Sequence, residues 1–382
     1  MLINELMQEV STTTKNDGKK IFYIIGNNGT GKSMLLNEIA NKASQNKTVS
    51  KVLCISNTLY DKFKLENDKA IYLGLRTVNN AIFFSVVERT LCGFLLHCIN
   101  KNTLNTLEKN LNMKFSIVFE SGKKINDIGS YYDKRKTKNK HISDILSERE
   151  ITIFLDMIGH EINFKDLKEE QIVTLEKFLP LNPNSLKLKV KKDNLKILFE
   201  DLSSGEQNRI LLSSKVLSNI DNKCVIVIDE PEISLHLHWQ IDFHAFLNGL
   251  ISSYKGVSIF IASHSPILVS EAYKDKNVST IIILGGQEKN YEYLNVQQSS
   301  NTNFENIVLD FFNTATYRSI AIDEEIARII TSFKNETESV DVSISKLENL
   351  KKNVKGIQNK ITLIDEAINL ISKLSVNLIK GE

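Results

Sequence analysis

Gly26-Asn27-Asn28-Gly29-Thr30-Gly31-Lys32-Ser33 carries the spacing G-x-x-x-x-G-K-S, directly after the apolar run Ile21 to Ile25 and before the helical-looking stretch Met34 to Lys42. Residues of these types in this order build an anion cradle. The glycines let the backbone turn tightly, so that successive amide N–H groups converge near a helix N-terminus, where phosphate is favoured. In such a cradle Lys32 reaches the β- and γ-phosphates of a nucleotide and Ser33 holds Mg²⁺. The apolar run ahead of the loop is read as a buried parallel strand.

Four further stretches carry chemistry. Leu202-Ser203-Ser204-Gly205-Glu206-Gln207 precedes a helix expected over Asn208 to Ser218, so a second nest of backbone amides opens a second helix. One phosphate loop needs one cradle, and the natural use of another is to grip the γ-phosphate of a nucleotide held mainly by a different subunit. Serine and glycine ahead of a helix are also ordinary capping residues. Next, the buried strand Cys224 to Ile228 ends in Asp229-Glu230-Pro231. Asp229 there can support the Mg²⁺ shell, and Glu230 can orient and deprotonate an attacking water. The apolar strand from Ser258 to Ala262 delivers His264, within Ser263-His264-Ser265, to a strand exit where it can sense the γ-phosphate. Ser234 to His236 reads as a loop crossing between two bound nucleotides, and Trp239 as core packing.

Positioning these groups takes a sheet with helices around it. Val49 to Ile55 and Lys69 to Leu75 read as strands, Ala81 to Ile99 as an apolar helix, and residues 1 to 20 as a short amphipathic start with a polar loop over Ser11 to Lys20. Between Asn100 and Pro183 the pattern turns polar and mostly helical, over Thr103 to Met113, His141 to Gly159 and Asp166 to Leu179. This predicts an inserted helical lobe. It contains the basic run Lys134 to Lys140, read as a solvated loop, with phosphate contact as the alternative. Leu186 to Phe199 alternates Lys187, Lys189 and Lys191 with Leu186, Leu188 and Val190, which predicts a hairpin with one lysine face, either solvated or a nucleic-acid surface.

After strands at Ile281 to Leu284 and Tyr291 to Val296, helices are expected from Asn303 onward. Leu347, Leu350, Val354, Ile357, Ile361, Ile364, Ile368 and Ile371 follow steps of three and four, the heptad signature of a packed seam. A single helix over that span would be about 37 Å long at roughly 1.5 Å per residue. It would dock on this chain's own helices or on a partner. The expected divisions are 1–100, 101–185, 186–300 and 301–382.

The 382 residues are 42% hydrophobic and 25% charged, values of an ordinary globular chain that can bury a full core. With 48 basic against 46 acidic residues the net charge is +2, so nucleic-acid affinity would have to come from local patches. Cys54, Cys92, Cys98 and Cys224 form no C-x-x-C pair and read as reduced, buried thiols. No stretch approaches the roughly 18 apolar residues of a membrane span, and no basic-then-apolar leader opens the chain. A cytoplasmic protein with no membrane partner is expected.

Taken together, GNNGTGKS, LSSGEQ, CVIVIDEPE and SHS resemble the ABC-type ATPases, in the non-transport branch with the RecF and structural-maintenance-of-chromosomes proteins. FEDLSSGEQ and DEPEISLHLHWQ look most like the ATPase domains of the overcoming-lysogenization-defect family and the related ATPase subunits of antiphage systems such as Septu. The resemblance covers about residues 20 to 100 and 195 to 285. It implies an α/β P-loop core, to which the sequence pattern adds an inserted helical lobe and a helical, coiled-coil-like C-terminus. It also implies that Gly26 through Ser33 bind ATP, that Ser203 and Gly205, within Ser203 to Glu206, contact a partner subunit's γ-phosphate, that Asp229 supports Mg²⁺, that Glu230 activates water and that His264 is a switch histidine. The chain departs from the family at Asn79-Asn80, the nearest amides to the usual glutamine after an early strand, and in the short segment before Ile21. Its tail lacks the clustered carboxylates of the family's nucleases, so no nuclease is expected here. The expected partners are a second copy, as an ATP-dependent homodimer or higher oligomer, and a separate effector such as a nuclease or toxin. The alternatives are a DNA-repair or chromosome-maintenance ATPase, in which DNA would be bound, a transporter's nucleotide subunit and a non-catalytic scaffold.

Overall fold

The computed structural model describes residues 2–26, 29–56, 62–74, 84–119, 130–133, 138–141, 145–179, 186–233, 235, 237–272, 279–285, 292–295, 320–335, 337–354 and 358–380. These form two compact units, Met1–Ile24 with Gly31–Ser263 and Ile25–Thr30 with His264–Glu382. The division after Ser263 coincides with none of the boundaries expected at 100, 185 and 300.

The first unit opens with helix α1 (Leu2–Lys15), which buries Leu2, Leu6 and Val10 at helical spacing. It runs through the stretch from Ser11 that was expected to be a polar loop. The hydroxyls explain this, because Ser11 and Thr12 donate to the carbonyls of Met7 and Gln8 at 2.9 and 3.0 Å and so bond within the helix. Next come β1 (Lys19–Ile25), α2 (Lys32–Gln45), β2 (Lys51–Ser56) and β3 (Ala70–Tyr72). Then follow α3 (Phe84–Asn100), α4 (Leu104–Leu111), β4 (Lys114–Phe119), β5 (Ser130–Asp133), β6 (Lys138–His141), α5 (Glu148–Met157), β7 (Glu161–Asn163) and α6 (Glu169–Phe178). The unit ends with β8 (Leu186–Lys192), β9 (Leu195–Leu198), α7 (Ser204–Asn219), β10 (Cys224–Asp229), α8 (Leu237–Ile241), α9 (Phe243–Leu250) and β11 (Val257–Ser263).

Its main sheet has the order β1-β11-β10-β2-β3, and β11, β10, β2 and β3 are paired in parallel. These strands are covered on both faces, so their sequences are continuous apolar runs rather than alternating ones. Phe22 of β1 stacks on Phe260 of β11 with ring centroids 4.5 Å apart. Cys54 and Cys224 lie in adjacent strands of this core, and all four cysteines are free and buried.

The lobe between α3 and β8 is not wholly helical. It carries α4, α5 and α6, but also β4, which joins β7, β8 and β9 in an antiparallel sheet of order β7-β4-β8-β9. Phe115, Ile117 and Phe119 of β4 alternate with Lys114, Ser116 and Val118, a period of two whose partner strand lies far along the chain. The lobe has its own aromatic core, in which Phe154 lies 3.9 Å from Phe178 and 5.0 Å from Phe119 between ring centroids. Lys187 and Lys189 of the expected lysine face are ion-paired with Glu200 at 2.8 Å and Glu161 at 3.1 Å. That neutralisation suits a solvated sheet face better than a nucleic-acid track. Of the basic run, Lys138 to Lys140 lie in β6, and residues 134–137 are outside the described residues.

The second unit contains α10 (Pro266–Ala272), the antiparallel pair β12 (Ser279–Gly285) and β13 (Glu292–Asn295), then α11 (Ile320–Lys334), α12 (Val340–Asn353) and α13 (Gln358–Lys380). The part of the expected helical tail from Asn303 to residue 319 lies outside the described residues. The heptad seam is not one helix: α12 is capped at Val354 and α13 begins at Gln358, with residues 355–357, including Gly356 and Ile357, outside the described residues. Leu347, Leu350, Val354, Ile364 and Ile371 are buried with Ile322, Ile326, Ile329 and Phe333 of α11, so the seam closes a three-helix core. The steps of three and four run unchanged from Leu347 to Ile371, so the period does not mark where α12 ends. None of the described helices is long and apolar enough to cross a membrane.

Candidate nucleotide site

The loop after β1 has the backbone of a phosphate cradle. Gly29 and Gly31 adopt φ of 85° and 87°, left-handed values that L side chains rarely take. At Gly26 a Cβ would meet Thr30 Oγ1 at 2.8 Å and the Leu284 carbonyl oxygen at 2.9 Å, so the chain passes where only glycine fits. Asn27 and Asn28 lie outside the described residues.

Gly31 caps α2 without a side chain, leaving the first amides of that helix to an external acceptor. Lys32 follows, only 6% exposed. Burial lowers its pKa, and the charges of Glu230, Glu232 and Asp229 oppose that shift. Ser33 Oγ donates to Asp229 Oδ1 at 3.1 Å, which brings one hydroxyl and one carboxylate from α2 and β10 to a single point. Oxygen donors of this kind suit Mg²⁺, which binds through one or two protein groups plus phosphate oxygens and water. Among the described residues there is no cluster of three or more His, Cys, Asp or Glu that could hold a metal ion.

Register explains why Asp229 and Glu230 face this point. Asp229 is 2% exposed and lies opposite Ala262 of β11 and Ser56 of β2, at the carboxyl end of a parallel sheet. That end of the strands is where open α/β sheets place ligands. Glu230 has φ of 48°, a left-handed conformation unusual for a residue with a Cβ, and its amide donates to the Ala262 carbonyl at 2.9 Å. The strand therefore ends in a held kink that turns the Glu230 side chain out of the sheet's alternation. Glu232 is a residue that the sequence reading passed over. It is 6% exposed, and Oε1 accepts a hydrogen bond from Ser263 Oγ at 2.7 Å, tying the loop after β10 to the end of β11. Its sequence signal was a second carboxylate two positions after Glu230. His264, directly after Ser263, is exposed.

Ser203 to Glu206 opens a helix whose start is bonded within itself. Ser203 caps α7, which starts at Ser204 rather than Asn208, and a capping box is complete. Ser203 Oγ accepts from the Glu206 amide at 3.4 Å, while Glu206 Oε2 accepts from the Ser203 amide at 3.1 Å and from its hydroxyl at 2.8 Å. Lys192 of β8 donates to Glu206 Oε1 at 2.7 Å. Burial opposes ionisation of Glu206, but the bonds from Lys192 and Ser203 outweigh it and hold its pKa below the ordinary value. The carboxylate thus takes the Ser203 amide, and the Ser203 hydroxyl takes that of Glu206. Ser203 and Ser204 are exposed, Gly205 is buried, and no bond joins this group to Lys32, Ser33 or Asp229 among the described residues. Ser203→Ala should lower unfolding free energy by about 1 kcal/mol in urea titration. An unchanged midpoint would show that the box contributes nothing.

Ser234 and His236 of the expected crossing loop lie outside the described residues, as do Asn79 and Asn80. Trp239 is half-buried, with the Arg209 guanidinium 3.8 Å from its ring centroid, so its face is taken by a cation within the fold.

Residues 95–269 match the family model described as AAA_15, AAA ATPase domain. That stretch, under half of the chain, is similar to an AAA-type ATPase domain. The matched stretch includes Ser203 to Glu206, Asp229, Glu230 and His264; the loop from Gly26 to Ser33 precedes it. Protein ea59 of Escherichia phage lambda is 29% identical over 125 residues, which is 31% of this chain and 23% of that protein. The match thus spans under a quarter of that relative's length. Among solved structures, a chain described as a metal-chelate type ABC transporter in an inward-facing conformation is similar with a TM-score of 0.33 and 14% identity, over 79% of this chain and 85% of that one.

Proposed function

We propose that this chain is an ATP-hydrolysing, ABC-type switch in which two copies enclose two ATP–Mg²⁺, each held by Gly26 to Ser33 of one copy and Ser203 to Glu206 of the other. Lys32 offsets the charge on the β- and γ-phosphates. Ser33 and Asp229 would hold Mg²⁺, which when bound supplies further charge compensation between those phosphates. Glu230 accepts a proton from a water whose oxygen attacks the γ-phosphorus, the bond to the bridging β–γ oxygen breaks, and ADP and phosphate leave. His264 contacts the γ-phosphate and reports its loss.

The observation that carries this reading is the kink at Glu230: a residue in left-handed conformation, one position beyond a carboxylate bonded to the Ser33 hydroxyl. The exposed Ser203-Ser204 start of α7 supports the two-copy arrangement, since its amides answer no need of the first cradle. The resemblance of FEDLSSGEQ and DEPEISLHLHWQ supports a separate effector, a nuclease or toxin of antiphage defence, as what the switch controls.

Glu230→Gln with ATP and Mg²⁺ should elute in size-exclusion chromatography with light scattering at about twice the mass of the nucleotide-free chain, because closure is retained while hydrolysis is blocked. The same mass with and without ATP would overturn the two-copy site.

A further inference from the structure

On the antiparallel sheet of the lobe, Lys114 of β4, Lys191 of β8 and Lys196 of β9 stand abreast, with Lys114 opposite Lys191 and Lys191 opposite Lys196. Like charges directly opposite across strands destabilise a sheet. Elsewhere this sheet supplies each lysine with a carboxylate: Lys187 has Glu200, Lys189 and Lys196 share Glu161, and Lys192 has Glu206. Lys114 and Lys191 have no such partner among the described residues. Both line an open cleft of about 450 Å³ between the end of α4 and the β8–β9 turn, together with Lys109 and Lys165.

Of the two carboxylates in the lining, Glu108 is buried and committed to Lys165 at 2.6 Å, and Asp193 sits on the turn beside Lys192. Met113 is the one apolar side chain in the lining, and no aromatic ring is present to stack on a base. The volume is that of a small-ligand pocket. The positive charge is also confined to it, since the lysines further along the sheet are neutralised, which is the opposite of a track for a long polyanion.

From this we infer that the cleft between α4 and the β8–β9 turn is a binding site for a compact, multiply charged phosphate ligand, recognised through its phosphates by Lys109, Lys114 and Lys191. Lysines act there as point charges that a phosphate cluster satisfies together. The ligand relieves the opposed pair that the fold itself leaves uncompensated. This site is independent of the loop at Gly26 to Ser33.

Inorganic tripolyphosphate, titrated calorimetrically into the full chain carrying Lys32→Ala to silence the first cradle, is the test. It should bind, and Lys109→Gln, Lys114→Gln and Lys191→Gln together should weaken binding by about tenfold or more, with the affinity falling as salt is raised. Lys114→Gln alone should leave the thermal midpoint unchanged or slightly raised, because it removes a like-charge pair, and this separates loss of binding from loss of fold. No binding, or equal binding by the triple variant, overturns the site. Binding of a single-stranded oligonucleotide through these lysines with none of tripolyphosphate would assign them to a nucleic-acid backbone and overturn the compact ligand.

Discussion

Exchanging Glu230 for glutamine should lower the rate of ATP hydrolysis by about 10²- to 10⁴-fold while leaving nucleotide affinity within about twofold of the parent, the range expected when a general base is removed and nothing else. The amide has nearly the same shape, so it can keep the left-handed backbone and the bond from its N–H to the Ala262 carbonyl. What it cannot do is accept the water's proton. The bond between Ser33 and Asp229 and the burial of Lys32, on which the proposed phosphate and ion binding rests, are untouched. Steady-state phosphate release, measured beside equilibrium binding of a fluorescent ATP analogue, separates the two effects. A rate within about threefold of the parent would mean that water is activated elsewhere, since loss of a general base is worth far more.

Lys215→Met should stabilise the chain by about 3 kcal/mol at pH 7, the worth of a pKa difference of this size. Lys215 lies in α7, is 3% exposed, and among the described residues its Nζ has no hydrogen-bond partner. Burial lowers its pKa from 10.5 to about 8. The unfolded chain therefore binds more protons than the folded one between those two values, and the parent's stability rises with pH across that window. Below pH 8 both states are protonated and the full cost is present; above 10.5 both are neutral and it is gone. Methionine fills the same length without a charge. Urea titrations of parent and variant at pH 7 and pH 10.5 should show a gain that shrinks at the higher pH. A gain independent of pH, or a loss at pH 7, would show that the ammonium is compensated.

Much of the candidate site's framework was legible because it is written in local patterns. The apolar runs at Ile21 to Ile25, Cys224 to Ile228 and Ser258 to Ala262 are doubly covered strands, and each chemical group follows one directly. Serine ahead of the helix pointed to capping chemistry, although the helix began earlier than expected. What escaped was non-local. The bond between Ser263 and Glu232 spans 31 positions, and the one between Lys192 and Glu206 links a sheet to a helix start that the sequence treats as separate. Strand β4 was hidden because its alternation is short and lies among helices, and its partner β8 follows only after two more of them. The heptads were read rightly as a seam, but periodicity does not say whether a chain continues straight or folds back. Lys351 of α12 pairs with Asp365 of α13, so here it folds back.

The four buried cysteines have a practical meaning. Burial pushes the thiol of Cys92 well above its ordinary pKa, that of Cys98 up to about 11 and that of Cys224 up to about 12. Reaction with a maleimide or a spin label needs an accessible thiolate, which these side chains do not offer in the folded chain. The native protein is therefore chemically dark to thiol probes. A single cysteine introduced on an exposed helix face would be the only one to react, giving a background-free spectroscopic ruler that reads out whether two copies approach each other when ATP is added.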